Sequence, residues 1–197
     1  MERQNTNIRQ EQIKKAVLHI IFTKGLKNLS TRNLAKEIGL SEGAIFRHFP
    51  TKQDIILSII NDAHEDFIGK LREVANSNLP PDDRLRKFIY TTINYIVDNK
   101  GIFMLMLSEA NHKNDAELKN KLLQIFNSQK KLFSKIILDG IAVEIWDEKI
   151  PVDDLAMLYM GIPVSINIEQ TLTGGEIHVE GFCGKVNQLM TKMLEKL

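Results

Sequence analysis

Side chains that can bind an anion are concentrated in the first quarter of this 197-residue chain. Residues 1–52 contain ten Lys or Arg against four Asp or Glu, which gives a net charge of +6, whereas residues 53–197 carry a net charge of −5. A basic module joined to an acidic one indicates an anionic partner for the first, and nucleic acid is the partner this pattern favours. An uneven but merely solvated surface explains the charges equally well.

Two short helices are predicted within residues 30–50, joined at a Gly39-Leu40-Ser41 turn. Ser30 and Ser41 each precede a short amphipathic stretch, where a side-chain oxygen caps a helix N-terminus. Gly39 can adopt the positive φ that such a turn requires. The apolar residues expected to hold the two helices together are Leu34, Ala35, Ile38, Leu40, Ile45 and Phe49. One face of the second helix then stays free to enter a DNA major groove, which is about 12 Å wide.

The same pattern is compatible with a simple corner between two helices, which would have no binding role. The basic residues, however, flank the pair where the phosphates of a bound duplex would lie. The charges therefore favour a helix-turn-helix over a purely structural corner.

Helical periodicity dominates the rest of the chain. A first helix carries Ile13, Val17 and Ile20 on one face and is expected to close at Gly25. The further predicted helices lie at residues 51–75, 81–99, 102–107, 115–139, 151–172 and 178–197. No alternating segment is long enough to indicate a sheet. The predicted fold class is all-α with about nine helices, in which an N-terminal three-helix domain carries the helix-turn-helix and a C-terminal helical domain follows it.

The N-terminal segment resembles the DNA-binding signature of the TetR family of bacterial transcriptional regulators. The elements that carry the resemblance, besides the amphipathic first helix, are Thr31-Arg32, Leu34-Ala35, Gly39-Leu40-Ser41, Gly43, Phe49-Pro50 and Thr51-Lys52. The match covers about residues 7–67 at the level of motifs. It implies a DNA-binding domain there, with the helix-turn-helix at about residues 30–49, and an effector-binding and dimerisation domain at residues 68–197.

The resemblance also implies which residues face DNA, with residues 42–48 as the recognition helix. The expected DNA-binding residues are Thr31, Arg32, Ser41, Glu42, Gly43, Ala44, Phe46, Arg47, His48 and Lys52. Arg47 can read guanine through two hydrogen bonds or hold a phosphate, and the two roles are equal alternatives. The family usually has tyrosine at Phe46, whose hydroxyl binds phosphate, so Phe46 is expected to pack against the turn instead. A ring nitrogen of His48 is expected to replace part of the lost contact.

In this family the last two helices of each subunit pair into a four-helix bundle, and the resulting dimer matches a pseudo-palindromic operator. The residues expected at this interface are Leu155, Tyr159, Ile162, Ile166, Val186, Met190 and Met193. Helix 151–172 is apolar on more than one face and helix 178–197 carries an apolar stripe, which favours a partner. A monomeric core is the alternative.

The resemblance further implies a small-molecule effector within the middle helices. Candidate pocket residues, each of which is otherwise plain core, are Phe67, Phe88, Tyr95, Phe103, Met104, Met106, Leu107 and Phe126. Polar contacts are expected from Tyr95, Glu109, Asn111 and His112. The implied function is a ligand-responsive repressor that an apolar or amphipathic molecule releases from DNA. The alternatives are a helical small-molecule-binding or interaction protein with weakened DNA binding, and a DNA-binding activator or architectural protein without an effector.

Catalytic and metal-binding patterns find little support in the sequence. The five histidines are scattered, and neither a glycine-rich phosphate loop nor a nucleophile elbow is found. The one cysteine, Cys183, excludes an intramolecular disulfide framework and a multi-cysteine metal site. No apolar run is long enough for a membrane span. We therefore expect a cytoplasmic protein that is not an enzyme, with no cofactor, no metal and no membrane partner.

Overall fold

The computed structural model describes residues 6–110, 116–174 and 178–195. The helices within these ranges are α1 (Thr6–Lys24), α2 (Thr31–Ile38), α3 (Glu42–Phe46), α4 (Lys52–Ala75), α5 (Pro81–Asp98), α6 (Ile102–Ala110), α7 (Ala116–Ala142), α8 (Val152–Thr173) and α9 (Val179–Leu194). A 3₁₀ turn at Leu26–Asn28 connects α1 to α2. The regular elements of the described residues are all helical, so the prediction of an all-α fold with about nine helices is confirmed.

Most predicted helix ends agree with the structure to within a few residues, and the end of α3 shows what causes one of the differences. The helix was expected to reach about His48 but ends at Phe46. The backbone N–H groups of His48 and Phe49 both donate to the carbonyl of Ile45, at 2.9 and 3.1 Å, which tightens the last turn. Pro50 follows directly and disfavours helical backbone at the residue before it.

The chain divides into two compact units, one formed by residues 1–63 and 99–122 and the other by residues 64–98 and 123–197. Two of the three boundaries fall inside α4 and α7, and the third lies at the end of α5. The sequence assigns DNA binding to residues 7–67 and effector binding and dimerisation to residues 68–197. This assignment stays a prediction.

The first unit has an aliphatic core to which α1 to α4 contribute. Its buried side chains include Ile13, Val17, Ile20, Ile21, Leu34, Ile45, Phe49, Ile56 and Ile60. Lys14 lies at the edge of this core and forms ion pairs with Glu11 on α1 and Asp62 on α4. Burial alone would lower the pKa of Lys14, but the hydrogen bonds to Asp62 and Glu11 raise it overall. The ion pairs thus hold a buried cation where α1 packs near α4.

The second unit is centred on three aromatic rings from α5, α7 and α8. Tyr159 stacks on Phe133 with 4.2 Å between ring centroids, and Phe88 lies against both. The Tyr159 hydroxyl is buried and lies 2.6 Å from the hydroxyl of Thr92. Burial of this phenol raises its pKa, so it stays protonated and can donate within the core. This pairing satisfies a polar group that would otherwise be costly to bury.

The end of α7 depends on a close approach between helix and loop. Trp146 is buried and its ring lies against Gly140. A Cβ atom at Gly140 would lie 2.1 Å from a ring carbon of Trp146, far inside van der Waals contact. Glycine is therefore required where the chain folds back between α7 and α8.

Candidate nucleic-acid interface

The turn between α2 and α3 is built by local hydrogen bonds, as the sequence predicts. The Ser30 hydroxyl accepts from the N–H of Asn33 at 3.1 Å, and the Ser41 hydroxyl accepts from the N–H of Ala44 at 3.2 Å. Gly39 has φ 65° and ψ 35°, the left-handed conformation that ends α2. The predicted N-caps and the glycine turn are confirmed, and together they fix the direction in which α3 leaves the turn.

The start of α4 is fixed by the predicted capping box. The Thr51 N–H donates to Oδ2 of Asp54 at 2.8 Å, and the Asp54 N–H donates to the Thr51 hydroxyl at 3.1 Å. Lys52 follows directly and its ammonium donates to the carbonyl of Leu29 at 3.4 Å. This contact brings the first turn of α4 beside the segment that precedes α2.

Most of the ten expected DNA-binding residues lie at the surface. Arg32, Ser41, Glu42, Gly43, Phe46, Arg47 and Lys52 are exposed, and Thr31, Ala44 and His48 are half-buried. Three of them, from α2, α3 and α4, line the same small hollow: Thr31, Phe46 and Lys52. The structure therefore brings together residues that are up to 21 positions apart in the sequence.

Two exposed arginines of this surface lack the internal ion pair that Lys24 on α1 forms. Lys24 forms a 2.6 Å ion pair with Glu37, and its hydrogen bond lowers the pKa of that carboxyl. Arg32 and Arg47 form no ion pair with any residue that the structure describes. Unpaired guanidinium groups are available to phosphates or base edges without first breaking an internal contact.

Phe46 and His48 depart from the expected arrangement. Phe46 was expected to pack against the turn, but 44% of the residue is exposed and only part of it faces the hollow. The Nδ1 atom of His48 is buried and has no hydrogen-bond partner among the described residues, so this nitrogen cannot reach a phosphate. The phosphate contacts of this segment stay a prediction.

One contact of this region is not apparent from the sequence. The Gln10 amide on α1 donates to the backbone carbonyl of His48 at 3.1 Å, across 38 positions. The sequence pattern of an amphipathic helix does not distinguish a glutamine that makes a tertiary contact from one that faces solvent. Its role is visible only once the end of α3 is placed beside α1.

The residues expected to line an effector pocket do not form one site within either compact unit. Phe67 and Tyr95 stack at 4.5 Å and Phe88 is fully buried, all in the second unit. In the first unit, Phe103, Met104 and Met106 are half-buried and Leu107 is exposed; Phe126 on α7 of the second unit is also exposed. None of the eight lines the hollow described above. Glu109 is buried, and Asn111 and His112 lie outside the described residues.

Four of the seven residues expected at the dimer interface are buried in their own chain, and the interface itself stays a prediction. The core residues are Leu155, Tyr159, Ile166 and Met190, whereas Ile162 and Val186 are half-buried and Met193 is exposed. Both helices have another apolar face that is exposed. It is formed by Met157, Leu158, Ile168 and Leu172 on α8, and by Leu189 with Met193 on α9. This exposed face is a second candidate for the interface on α8 and α9.

Membrane-spanning and metal-binding features are absent from the described ranges. None of the helices there is long and apolar enough to cross a membrane. No group of three or more His, Cys, Asp or Glu side chains is placed to hold a metal ion among the residues 6–110, 116–174 and 178–195.

The capped helix pair, its left-handed glycine turn and its unpaired surface arginines define a helix-turn-helix DNA-binding domain. Residues 13–59 match the sequence model of the family described as "Bacterial regulatory proteins, tetR family". This part of the chain therefore matches the DNA-binding domain of TetR-family regulators.

Several known proteins resemble this chain over much more than the helix-turn-helix. The nucleoid occlusion factor SlmA of Haemophilus influenzae is 23% identical over 82% of this chain and 76% of its own length. The TetR-family regulator PfmR from Thermus thermophilus has the same fold, with a TM-score of 0.79, 19% identity, and coverage of 93% of this chain and 99% of its own. The regulator FadR from Bacillus subtilis, solved in complex with stearoyl-CoA, gives a TM-score of 0.71 at 18% identity, covering 94% and 99%.

Proposed function

We propose that this protein is a ligand-responsive repressor that binds a pseudo-palindromic operator as a homodimer and is released by a small apolar or amphipathic molecule. The observation that carries the proposal is the N-terminal surface, where two capped helices meet at a left-handed glycine and present unpaired Arg32 and Arg47. The exposed side of α3 leaves Arg47 available to a base or phosphate in a major groove.

The DNA contacts divide into two classes. Thr31, Arg32 and Lys52 flank α3 and position the domain through phosphates. Arg47 is the one long cationic side chain on the exposed surface of residues 42–48 and is the main candidate for reading a base. Gly43 and Ala44 offer no side-chain hydrogen bonds, so part of the specificity comes from thymine methyl contacts or from DNA shape.

Dimerisation is supported by exposed apolar side chains on both α8 and α9. Leu172 is 80% exposed and Leu189 is 63% exposed, and contiguous exposed apolar side chains mark interaction surfaces. Both helices also pack on α5 of the same chain. Pairing these faces with a second copy would bury them and set two recognition helices apart by a fixed spacing, as a palindromic operator requires.

The effector class rests on a neighbour of the same fold. FadR from Bacillus subtilis was solved with stearoyl-CoA, an amphipathic molecule. We assign an apolar or amphipathic effector to this chain and take stearoyl-CoA as the first probe. Such a molecule lowers DNA affinity only by binding the released conformation more tightly than the DNA-bound one.

The proposal is tested by titrating the purified protein with DNA flanking its own gene, at two salt concentrations and with random DNA as competitor. A specific regulator gives competitor-resistant binding, a stoichiometry of two chains per site and a steep salt dependence. Addition of stearoyl-CoA to the complex then tests release. Binding that is weak and equal on all sequences would contradict the proposal.

A second candidate is a helical small-molecule-binding or interaction protein whose DNA binding is weakened. Two observations favour it: Phe46 has no hydroxyl for phosphate, and Nδ1 of His48 is buried. Under this alternative, affinity for DNA is low and insensitive to sequence, while the apolar probe still binds the protein. The same titration therefore separates the two functions.

A further inference from the structure

A groove of about 490 Å³ lies beside α5 and α9 in the second unit. It is lined by residues 83, 86, 87 and 90 of α5 and by residues 180, 183, 184 and 187 of α9, with Leu79 at one end. These spacings of three, four and seven place the lining residues on one face of each helix. The volume lies within the range of small-molecule sites, about 300–1,000 Å³. None of these residues belongs to the proposed DNA, effector or dimer surfaces.

The two walls of this α5–α9 groove carry unpaired charges of opposite sign. On the α5 wall, Arg86 is already paired with Asp83, with 2.6 Å between Nη2 and Oδ1. Lys87 on the same wall forms no ion pair within the described part of the chain, and neither does Glu180 on the α9 wall. One free ammonium therefore lies along one wall and one free carboxylate along the other.

The α9 wall also contains an acceptor that lacks a donor. Oδ1 of Asn187 is buried and has no hydrogen-bond partner among the described residues. Buried acceptors are nearly always satisfied in proteins, so an N–H or O–H donor from a bound molecule would complete this one. Asn187 lies two helical turns from Glu180 on the same face, which makes the α9 wall an acceptor surface for a cationic donor.

The remainder of the groove is apolar. Tyr90 is 43% exposed and offers a ring face, and Leu79 contributes an exposed aliphatic side chain. Cys183 is buried at the groove, where desolvation raises the pKa of its thiol to about 11. The neutral thiol therefore acts as a small apolar surface.

We propose that the α5–α9 groove binds a small zwitterion with an apolar side chain, of which an α-amino acid is the simplest member. The ammonium of the ligand lies towards Oδ1 of Asn187, where the carboxylate of Glu180 attracts it at longer range, and its carboxylate lies towards Lys87. Its apolar side chain packs on Tyr90. This site is separate from the proposed effector site, and the proposal holds whether or not the protein acts as a repressor.

The test uses the full-length protein and isothermal titration with L-phenylalanine. Two analogues remove one charge each: phenylalanine amide lacks the carboxylate, and N-acetyl-L-phenylalanine lacks the ammonium. We expect L-phenylalanine to bind with a Kd of about 1 mM or tighter, and each analogue to bind about tenfold or more weakly because it loses a charge-assisted hydrogen bond. No binding of L-phenylalanine, or equal binding of all three, would overturn the proposal.

Variants locate the binding in the groove. A Cβ at Gly184 meets no atom within 4 Å, so Gly184→Leu fills the groove without forcing a clash at the helix. Gln188→Leu adds the same side chain at an exposed position of α9 that does not line the groove. We expect binding to be lost in Gly184→Leu and kept in Gln188→Leu. Lys87→Met, at an exposed position, should weaken the binding of L-phenylalanine about tenfold and leave the binding of phenylalanine amide unchanged. Unaltered binding of L-phenylalanine by Gly184→Leu or Lys87→Met would contradict the site.

Discussion

Arg47 is the side chain on which sequence recognition by the recognition helix most depends. It is exposed, it has no ion pair among the residues that the structure describes, and it lies at the end of α3. Its planar guanidinium can make two parallel hydrogen bonds to guanine, or it can bind a phosphate nearby. The two roles have different consequences for a substitution.

Arg47→Ala is expected to weaken operator binding by about 1–3 kcal/mol, roughly 5- to 150-fold, if the guanidinium reads a base. Discrimination against random DNA should then fall as well. If the side chain holds a phosphate, specific and random DNA should weaken together and the salt slope should drop by about one. Fluorescence anisotropy at several salt concentrations measures both quantities.

The control for this substitution is Arg72→Ala, which removes an exposed arginine from α4 in the second unit. It changes the net charge by the same amount but lies outside the proposed DNA surface. Equal losses in the two variants would contradict a specific role of Arg47.

At the residue scale the sequence predicts local contacts well and distant ones poorly. The caps at Ser30 and Ser41 and the box at Thr51 are three-residue patterns, and their hydrogen bonds depend on little else. The partner of His48 is Gln10, and no short-range rule joins them. The exposure of Phe46 is likewise decided by which elements happen to surround α3.

The junction of α7 and the loop before α8 illustrates packing that only the folded structure reveals. The Trp146 ring leaves no room for a Cβ at Gly140. Gly140→Ala should therefore destabilise the protein by about 1–3 kcal/mol, because the ring or the backbone must move. Urea unfolding followed by circular dichroism gives the free energy of unfolding.

Gly69 provides the matched control within a helix. A Cβ there meets nothing within 4 Å, so Gly69→Ala should stabilise the protein by up to about 1 kcal/mol through helix propensity alone. Opposite signs for the two alanine variants are the expected result. A stabilised Gly140→Ala would show that the approach of Trp146 does not constrain α7.

A cluster of charges joins three elements of the second unit. Arg84 donates to the carbonyl of Ala75 at 2.9 Å and to Asp139 at 2.7 Å, and Lys135 lies 2.7 Å from the same carboxylate. Burial would raise the pKa of Asp139, but hydrogen bonds from Lys135 and Arg84 lower it overall. A carboxylate with a lowered pKa contributes stability above its unfolded pKa of about 3.9 and loses it as the pH falls through the folded value.

Asp139→Asn should therefore remove a stabilisation that is full at neutral pH and fades below about pH 4. We expect a loss of no more than about 1 kcal/mol at neutral pH, because the side chain is partly exposed to solvent. The difference between wild type and variant should shrink towards acid in thermal unfolding. Glu73→Gln, at an exposed position of α4, serves as the control; a pH-independent difference for Asp139→Asn would contradict the assignment.

At the scale of elements, periodicity places the helices correctly but leaves the phase of α8 undecided. Leu155, Leu158, Tyr159 and Ile162 are all apolar, so more than one face of α8 qualifies as the core face. Tyr159 is buried because its hydroxyl finds Thr92 and its ring stacks on Phe133, partners on other helices. The α5–α9 groove also cannot be predicted from sequence patterns, because it depends on how two helices that are distant in the sequence pack together.

For the whole molecule, the proposed repressor function depends on the exposed apolar face of α8 and α9. Leu189→Glu places a carboxylate at the centre of the proposed α9 surface, where pairing would have to bury an unpaired charge. We expect this variant to be monomeric in light scattering after size exclusion. Its operator affinity should also fall steeply, because each half-site is then bound independently rather than through a linked second domain.

Leu123→Glu makes the same chemical change at a similarly exposed leucine of α7, outside the proposed interface. It should remain dimeric and keep its affinity for the operator. Because both variants introduce the same charge, a difference between them isolates the contribution of the α9 face from general effects of a surface carboxylate. Retention of a dimer by Leu189→Glu would place the subunit contact elsewhere on the molecule, and the spacing of the two recognition helices would then be set by a different pair of elements.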